Sequence, residues 1–328
     1  MKDVVLLADP NSNAWEFGKK IKKSIEETKE EIIPLQEIFV ERFNNGELNL
    51  HVPGNIRKKH IYFIHDSSKN PQDWWIELLL VKDLLLSASV ESITFVLPNI
   101  LYSRQDRKHK SRVPISARAL ASSISPGTSR IITVDLHSPQ IQGAYPANVP
   151  MDNLYSFPVV VKYLEKNHLT ETEDLVIVSP DAGGVDRAKS FLKRLEKLNE
   201  TSFRKKNYSL ALISKTRSKP GEVSGMQLVG DVNQKDILIV DDIIDTGGTL
   251  CRAADLLREK GARKLFCYAT HGIFSAGTEK ISQSFDAVMT SNTHFINDSK
   301  IEVIDLAPLF AEAIYRAQKG LSISRLFD

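Results

Sequence analysis

The residues with the clearest chemistry lie in one segment, residues 237–250. Its first four residues, Ile-Leu-Ile-Val, are apolar and predict a buried strand, which ends at Asp241 and Asp242. A tight turn and the start of a helix follow, and their polar and glycine residues are Asp245, Thr246, Gly247, Gly248 and Thr249. A strand, a glycine turn and a helix in this order are typical of sites that bind phosphate.

The residues of this segment suit two tasks. Glycine lets backbone N–H groups approach an anion closely, and a helix N-terminus carries about half a positive charge. The threonine hydroxyls can donate further hydrogen bonds. Asp241 and Asp242 suit a different task, either accepting hydrogen bonds from sugar hydroxyls or holding Mg²⁺. The segment therefore predicts phosphate capture beside a sugar or a metal ion.

A second turn of the same kind follows the apolar residues 175–178. It reads Ser-Pro-Asp-Ala-Gly-Gly, and its acidic residue is Asp181. One such turn is a weak signal by itself, because acidic strand ends and glycine turns are common separately. Two strand-to-helix turns of this kind in one domain indicate a ligand with phosphate at both ends.

Asp135 and His137 follow a third apolar run, residues 131–134. In an extended chain, residues two apart project to the same face, which predicts that these two side chains lie together. They could share a metal ion, or His137 could bind phosphate. The alternative is a surface turn with a hydrogen-bonded histidine.

Two basic segments are candidates for binding polyphosphate. Between Arg104 and Arg118 there are six Lys or Arg residues and one acidic residue, and Gln105 lies beside the first arginine. Arginine matches phosphate oxygens well, although a solvated surface is the alternative. Lys215 and Arg217 follow the apolar residues 210–213, and the polar residues 218–222 after them predict a mobile lid. Paired basic residues there suit stabilisation of charge in a transition state.

The segment Phe43, Asn45 and Glu47 combines an aromatic ring with an amide and a carboxylate. Such a set could stack on a nucleobase and hydrogen-bond to it. The alternative is a loop aromatic that covers the core.

Nine short apolar runs alternate with amphipathic helical patterns along the chain. This alternation predicts an α/β protein with mostly parallel sheets flanked by helices. The spacing repeats in two halves, and prolines interrupt the pattern at residues 146–158. We therefore expect a first domain over residues 1–155, a second over residues 156–307, and a last helical segment, residues 308–328, that packs back on the first.

Composition excludes several classes of protein. The 328 residues contain 43 Lys and Arg against 41 Asp and Glu, a net charge of +2, which argues against a nucleic-acid or membrane-surface binder. Its two cysteines are too few for a disulfide framework. Apolar runs stay well below the roughly 18 residues of a membrane span, so we expect a cytoplasmic protein.

Taken together, these segments resemble the ribose-phosphate pyrophosphokinases, also called phosphoribosyl pyrophosphate synthetases, and they occur in that family's order. The resemblance is strongest in residues 111–155, with S-R-V-P-I-S-A, D-L-H, Q-I-Q-G and D-N-L-Y, and in A-T-H-G-I-F-S, residues 269–275. The fourteen-residue segment 237–250 resembles the phosphoribosyl pyrophosphate loop of the type I phosphoribosyltransferase fold. The resemblance implies two similar domains of that fold.

The resemblance also implies a reaction, in which the C1 hydroxyl of ribose 5-phosphate attacks the β-phosphorus of MgATP and releases AMP. The residues that match the ATP site are Phe43, Asn45, Glu47, Arg104 and Gln105. Those that match the Mg²⁺ ligands are His137 and Asp181, and those that match the catalytic pair are Lys215 and Arg217. The ribose 5-phosphate site is matched by Arg217, Asp241, Asp242, Asp245, Thr246, Gly247, Gly248 and Thr249. The family further implies a homo-oligomer, from dimer to hexamer.

Two other functions remain as alternatives. A phosphoribosyltransferase would share the loop at residues 241–250, but it would not need Arg104, Gln105, the D-L-H sequence or a two-domain chain of 328 residues. A non-catalytic regulatory subunit would share the fold, but we would expect it to lack catalytic residues such as Lys215 and Arg217.

Overall fold

The computed structural model describes residues 1, 3–201, 205–219 and 222–327, and within them it leaves the side chains of residues 201, 215–219 and 222–224 undescribed. Its strands are β1 (Val4–Ala8), β2 (Leu35–Glu37), β3 (Phe39–Arg42), β4 (Leu48–His51), β5 (His60–Ile64), β6 (Ser92–Val96), β7 (Arg130–Val134), β8 (Met151–Leu154), β9 (Asp174–Ser179), β10 (Asn207–Lys219), β11 (Glu222–Val229), β12 (Asp236–Ile244), β13 (Leu265–Gly272), β14 (Ala287–Ser291) and β15 (Ile301–Ile304). Its helices are α1 (Asn13–Lys29), α2 (Pro71–Ser87), α3 (Ser116–Ile124), α4 (Phe157–Asn167), α5 (Val185–Thr201), α6 (Gly248–Glu259), α7 (Glu279–Ser284) and α8 (Ala307–Lys319).

The predicted α/β class is confirmed. Each of the nine apolar runs lies in a strand to within one residue, and several of these strands, such as β10 and β12, extend well beyond their run. Almost every pairing within the two large sheets is parallel. Parallel strands covered by helices on both faces are buried on both sides, which is why they read as continuous Val, Ile and Leu runs. Within the part of the chain that the structure describes, no helix has the length and hydropathy to cross a membrane.

The chain divides into two compact units, and unit 1 consists of Met1–Tyr155, Thr293–Phe295 and Leu306–Asp328. Its sheet has the order β2-β1-β5-β6-β7-β8. One face packs against α2 and α3. The helices α1 and α8 contact each other, with the rings of Phe17 and Phe310 edge to face at 5.3 Å. The strands β3 and β4 form a separate antiparallel hairpin.

Unit 2 consists of Ser156–Asn292 and Ile296–Asp305. Its sheet has the order β11-β10-β9-β12-β13-β14-β15. The helix α6 packs on one face, and α4 and α5 pack on the other. The one pairing with the opposite sense joins β10 to β11. In the middle of this sheet β9 and β12 are parallel neighbours, so the turns that follow them meet at the same edge.

Candidate active site

The turn after β12 brings together the acidic, threonine and glycine residues that the sequence predicts to bind sugar and phosphate. Asp241 and Asp242 lie inside β12, and α6 begins at Gly248. This position corrects the expectation that the strand ends at Asp241 and Asp242, since β12 continues to Ile244. The strand continues because β13 runs alongside it as far as Gly272, and that pairing keeps the backbone extended through both aspartates.

Gly247 gives the turn its shape. It precedes α6 with a φ of 71°, in the left-handed region that glycine occupies without strain. A Cβ atom at this position would lie 3.3 Å from a methyl carbon of Ile281. The turn therefore runs close to the core, while Thr246 is exposed and Gly248 and Thr249 are half-buried. The turn leads directly into the N-terminus of α6, the end of a helix that favours an anion.

A neighbouring segment of unit 2 holds the Asp245 end of this turn in place. After β13, the backbone N–H of Ile273 donates to the carbonyl of Ile244 at 2.8 Å. The backbone N–H of Ser275 donates to the Asp245 carbonyl at 3.1 Å, and the Ser275 hydroxyl donates to the Asp245 carboxylate. Ser275 belongs to the A-T-H-G-I-F-S sequence, to which the residue types alone assigned no role.

The second predicted turn follows β9. The Asp181 carboxylate accepts hydrogen bonds from the amides of Gly183 at 3.0 Å and Gly184 at 3.1 Å. These bonds cap a short 3₁₀ turn, Ala182–Gly184, from which α5 continues. A Cβ atom on Gly184 would lie 2.8 Å from the hydroxyl of Ser179, so this position requires glycine. The turn thus places Asp181 at the same sheet edge as Asp245.

Arg187 joins the helix that follows the Asp181 turn to β12, and the sequence patterns did not identify it. It lies in the first turn of α5, and its Nη1 atom lies 3.5 Å from Asp241 Oδ1 and 3.2 Å from Asp242 Oδ1. Its side chain is only 19% exposed. The only sequence signal was a lone arginine after the glycine turn, and its partners lie more than 50 residues further along the chain.

The electrostatics of the acidic pair are unusual. Burial and the neighbouring Asp242 carboxylate raise the pKa of Asp241 to about 8, while the Arg187 guanidinium opposes this shift. The backbone N–H of Asp242 donates to Asp241 Oδ1 at 2.9 Å. The charge of the pair therefore depends on the balance between repulsion from Asp242 and attraction to the Arg187 guanidinium.

The strands β10 and β11 place Lys215 and Arg217 beyond the edge of the sheet. The strand β10 pairs with β9 only as far as Leu212, which lies opposite Ser179, and it continues to Lys219 paired with β11 alone. The backbones of Lys215 and Arg217 therefore belong to a two-stranded extension beyond the edge that carries Asp181. Their side chains lie outside the described part of the structure, as do Pro220 and Gly221 of the predicted lid.

In unit 1, the tip of the β3–β4 hairpin carries Phe43, Asn45 and Glu47 together. The Phe43 ring is 55% exposed, which excludes the alternative that it covers the core. The amide of Phe43 donates to the Glu47 carbonyl at 2.9 Å, and the Asn45 side chain accepts from the Glu47 amide at 3.2 Å. Arg42 ties the tip to α2, since it donates to the Gly46 carbonyl at 2.9 Å and pairs with Asp73.

Arg104 and Gln105 lie in the connection between β6 and α3 of unit 1. Arg104 is exposed and Gln105 is half-buried. The carbonyl of Gln105 accepts a hydrogen bond from the amide of Ala117 at 3.3 Å, and the Ser116 hydroxyl donates to the Tyr102 carbonyl at 2.9 Å. These bonds fix the base of the loop and present its basic residues to solvent.

The prediction that Asp135 and His137 share one face of a strand is wrong. The strand β7 ends at Val134, and Asp135 has a φ of 45°, in the left-handed region. The period-two rule applies only to extended chain, so it fails here. Leu136 is buried, and its amide donates to the Asn153 side chain at 3.1 Å, while His137 is exposed.

Several known proteins are similar to this chain. Residues 10–126 match the family defined as the N-terminal domain of ribose phosphate pyrophosphokinase, and residues 197–328 match the family defined as the phosphoribosyl synthetase-associated domain. The ribose-phosphate pyrophosphokinase of Cereibacter sphaeroides is 40% identical over 309 residues, which cover 90% of this chain and 87% of that protein. The ribose-phosphate pyrophosphokinase of Aquifex aeolicus is 40% identical over 299 residues, which cover 89% of this chain and 91% of that protein.

A solved structure is similar over almost the whole length. The crystal structure of phosphoribosylpyrophosphate synthetase from Mycobacterium smegmatis matches with a TM-score of 0.83 and 30% sequence identity. The match covers 97% of this chain and 99% of that chain.

The charge of the acidic pair gives a testable prediction. Substitution of Asp242 by Asn removes the neighbouring negative charge, so we expect the pKa of Asp241 to fall, while burial keeps it above that of an ordinary aspartate. A ¹³C NMR titration of Asp-labelled protein without ligand measures the pKa, and Asp241→Asn identifies the signal. The exposed Asp255 on α6 gives the control, Asp255→Asn, which leaves the Asp241 titration unchanged. An unchanged Asp241 midpoint in Asp242→Asn would show that repulsion between the two carboxylates plays no part.

Proposed function

Because the chain belongs to the ribose-phosphate pyrophosphokinase family, we propose that the residues at these turns and loops divide one reaction between them. The protein is an enzyme that transfers the pyrophosphoryl group of ATP to the C1 hydroxyl of ribose 5-phosphate. The hydroxyl oxygen forms a bond to the β-phosphorus, and the bond from that phosphorus to the oxygen of the α-phosphate breaks. The products are 5-phosphoribosyl 1-pyrophosphate, AMP and the proton of the hydroxyl. The resemblance found in the sequence motifs is confirmed.

The turn after β12 is the observation that carries the proposed ribose 5-phosphate site. The Thr246 hydroxyl, the Gly247 turn and the first amides of α6 provide donors for the 5-phosphate. Asp241, Asp242 and Asp245 provide acceptors for the ring hydroxyls on the same stretch of chain. Donors for the phosphate thus lie beside acceptors for the sugar, and this combination fits a sugar phosphate better than either ligand alone.

The exposed hairpin tip and the basic loop of unit 1 support the proposed ATP site. A rigid, exposed aromatic ring such as Phe43 can stack on adenine, and Asn45 and Glu47 can read its polar edge. Arg104 and Gln105 supply cationic and amide donors for phosphate oxygens. The exposure of Phe43 supports this role, because an apolar ring held in water by a fixed turn has no packing role in unit 1.

Magnesium enters the reaction with ATP, and we propose His137 and Asp181 as its protein ligands. The Asp181 carboxylate is a hard oxygen donor that suits Mg²⁺, and the exposed His137 offers an imidazole nitrogen. Within the described residues, no group of three or more His, Cys, Asp and Glu could hold a metal ion. This fits an ion held by one or two side chains together with substrate phosphates. When bound, the ion neutralises charge on the triphosphate.

We assign the main catalytic charge to Lys215, with Arg217 beside it. Transfer of a pyrophosphoryl group depends on in-line positioning and on cancelling the charge that develops between the reacting oxygens. The β10–β11 extension supports this assignment, because it carries both basic residues beyond the sheet edge where the two acidic turns lie. Homo-oligomer formation and a cytoplasmic location stay predictions.

The decisive experiment measures AMP released by the purified protein from ATP. We expect release that requires both ribose 5-phosphate and Mg²⁺, with one 5-phosphoribosyl 1-pyrophosphate formed for each AMP. Omission of each component in turn is the control. Binding of both substrates without AMP release would favour the regulatory subunit instead. Consumption of 5-phosphoribosyl 1-pyrophosphate in the presence of a nucleobase would favour a phosphoribosyltransferase.

The role of Lys215 predicts a selective loss of turnover. We expect Lys215→Ala to keep the KM for ATP within about threefold and to lower kcat by roughly 10²–10³-fold, since one preorganised charge is removed from the transition state. Steady-state AMP release measures both constants. The matched control is Lys300→Ala, which removes an exposed lysine paired with Glu279 and leaves both constants unchanged. A nearly unchanged kcat in Lys215→Ala would exclude Lys215 as the residue that stabilises the transition state.

The Gly247 turn predicts a selective loss of ribose 5-phosphate binding. We expect Gly247→Ala to raise the KM for ribose 5-phosphate by roughly tenfold, because alanine is strained at this φ and its methyl group meets Ile281. The matched control is Gly320→Ala at the end of α8, where the φ is 66° and no other residue lies within 4 Å of the added methyl group. The control carries the same kind of strain outside the site, so its KM values stay unchanged. Equal KM changes in the two variants would show that general strain, rather than the phosphate turn, sets the effect.

A further inference from the structure

Arg187 lies in the first turn of α5 and faces β12 of unit 2. Neither the motifs nor the resemblance assigns it a role. Its Nη1 atom lies 3.5 Å from Asp241 Oδ1 and 3.2 Å from Asp242 Oδ1, so one nitrogen faces both carboxylates. Its own backbone begins α5, directly after the turn that Asp181 caps. The guanidinium therefore connects the start of α5, which follows β9, to the middle of β12.

The two aspartates need a cation because they are consecutive, shielded residues. The side chain of Asp242 is 7% exposed and that of Asp241 is 23% exposed. Carboxylates so close together repel each other, and removal from water strengthens the repulsion. The backbone N–H of Asp242 holds Asp241 Oδ1, and Arg187 Nη1 faces that same oxygen and one oxygen of Asp242. With Arg187 between them, both oxygens are drawn toward a single point.

We propose that Arg187 is a positioning residue, whose guanidinium fixes the orientation of the Asp241 and Asp242 carboxylates so that they accept the ring hydroxyls of ribose 5-phosphate. This inference rests on the ribose 5-phosphate site proposed above. Arg187 acts through the aspartates, and the ligand binds to a pair that is already oriented. Preorganisation of this kind improves binding because less order has to be created when the ligand arrives.

The local backbone is built to bring Arg187 to this place. The side chain at residue 184 is absent, and a Cβ atom there would lie 3.9 Å from Arg187 Nη1 and 2.8 Å from the Ser179 hydroxyl. The Asp181 cap starts the helix at a fixed residue, so Arg187 points to the acidic strand rather than to solvent. Lys189 on the same helix is exposed instead.

A purely structural role for Arg187, as a link between α5 and β12, makes a different prediction. In that case, replacing Arg187 would lower the thermal stability of the protein and change kcat and the KM values of both substrates together. A positioning role changes the KM for ribose 5-phosphate selectively. It also allows partial rescue by lysine, because a single nitrogen of Arg187 makes both contacts and an ammonium group can occupy the same point.

The experiment compares Arg187→Gln, Arg187→Lys and the control Lys189→Gln in the full-length enzyme. Steady-state AMP release gives the two KM values and kcat, and isothermal titration calorimetry gives the Kd for ribose 5-phosphate without turnover. We expect Arg187→Gln to raise the KM and Kd for ribose 5-phosphate by roughly 10- to 100-fold, the range for loss of hydrogen bonds to charged groups. We expect the KM for ATP in Arg187→Gln to stay within about twofold of the wild-type value. In Arg187→Lys, the KM and Kd for ribose 5-phosphate should rise by less than half as much on a logarithmic scale. Lys189→Gln should leave all of these constants unchanged.

The outcomes separate this inference from the proposed function. An unchanged Kd for ribose 5-phosphate in Arg187→Gln, or an equal rise in both KM values, overturns the positioning role. A wild-type enzyme that binds ribose 5-phosphate but releases no AMP overturns the proposed function, while the calorimetric comparison still decides the role of Arg187. A wild-type protein that does not bind ribose 5-phosphate overturns both.

Discussion

Parallel pairing of β9 with β12 decides where the polar residues of unit 2 lie. Because the two strands are neighbours and run in the same direction, the Asp181 turn and the Asp245 turn leave the sheet at the same edge. Each turn opens a helix, so two helix N-termini also lie at this edge. A small anionic ligand then needs no large cavity of its own, since the edge of the sheet already supplies donors at fixed positions.

The same edge concentrates negative charge, and the fold has to compensate for it. The net charge of +2 over the whole chain conceals this segregation, since residues 241–245 contain three acidic residues and no basic one. Two of those acids are consecutive in a strand, where one shielded carboxylate raises the pKa of the other. Arg187 compensates from within unit 2. The acidic strand is therefore tolerated because a helix that starts beside it brings a cation back across the edge.

Local sequence patterns predicted the features that depend on neighbouring residues. The apolar runs predicted the strands, and the Asp-Thr-Gly-Gly-Thr sequence predicted a turn whose geometry depends on its own glycine. Features that depend on a distant partner were missed or misjudged. The strand β12 extends through Asp242 because β13 pairs with it, and Arg187 matters because of aspartates more than 50 residues away. The Asp135 prediction failed because a local rule was applied where the chain leaves the extended region.

The hairpin tip shows how the proposed adenine-stacking residue, Phe43, is held on a fixed turn. Phe43 projects into water from the tip of the hairpin, while Leu50 of β4 packs against the core of unit 1. At the tip itself, backbone hydrogen bonds hold the turn, and Arg42 spans from the tip to Asp73 at the start of α2. A fixed ring loses little freedom when a base stacks on it, so more of the stacking energy remains available for affinity. Arg42 and Arg187 are thus alike, because in each case one guanidinium holds the group that we propose to contact the ligand and makes no proposed ligand contact itself.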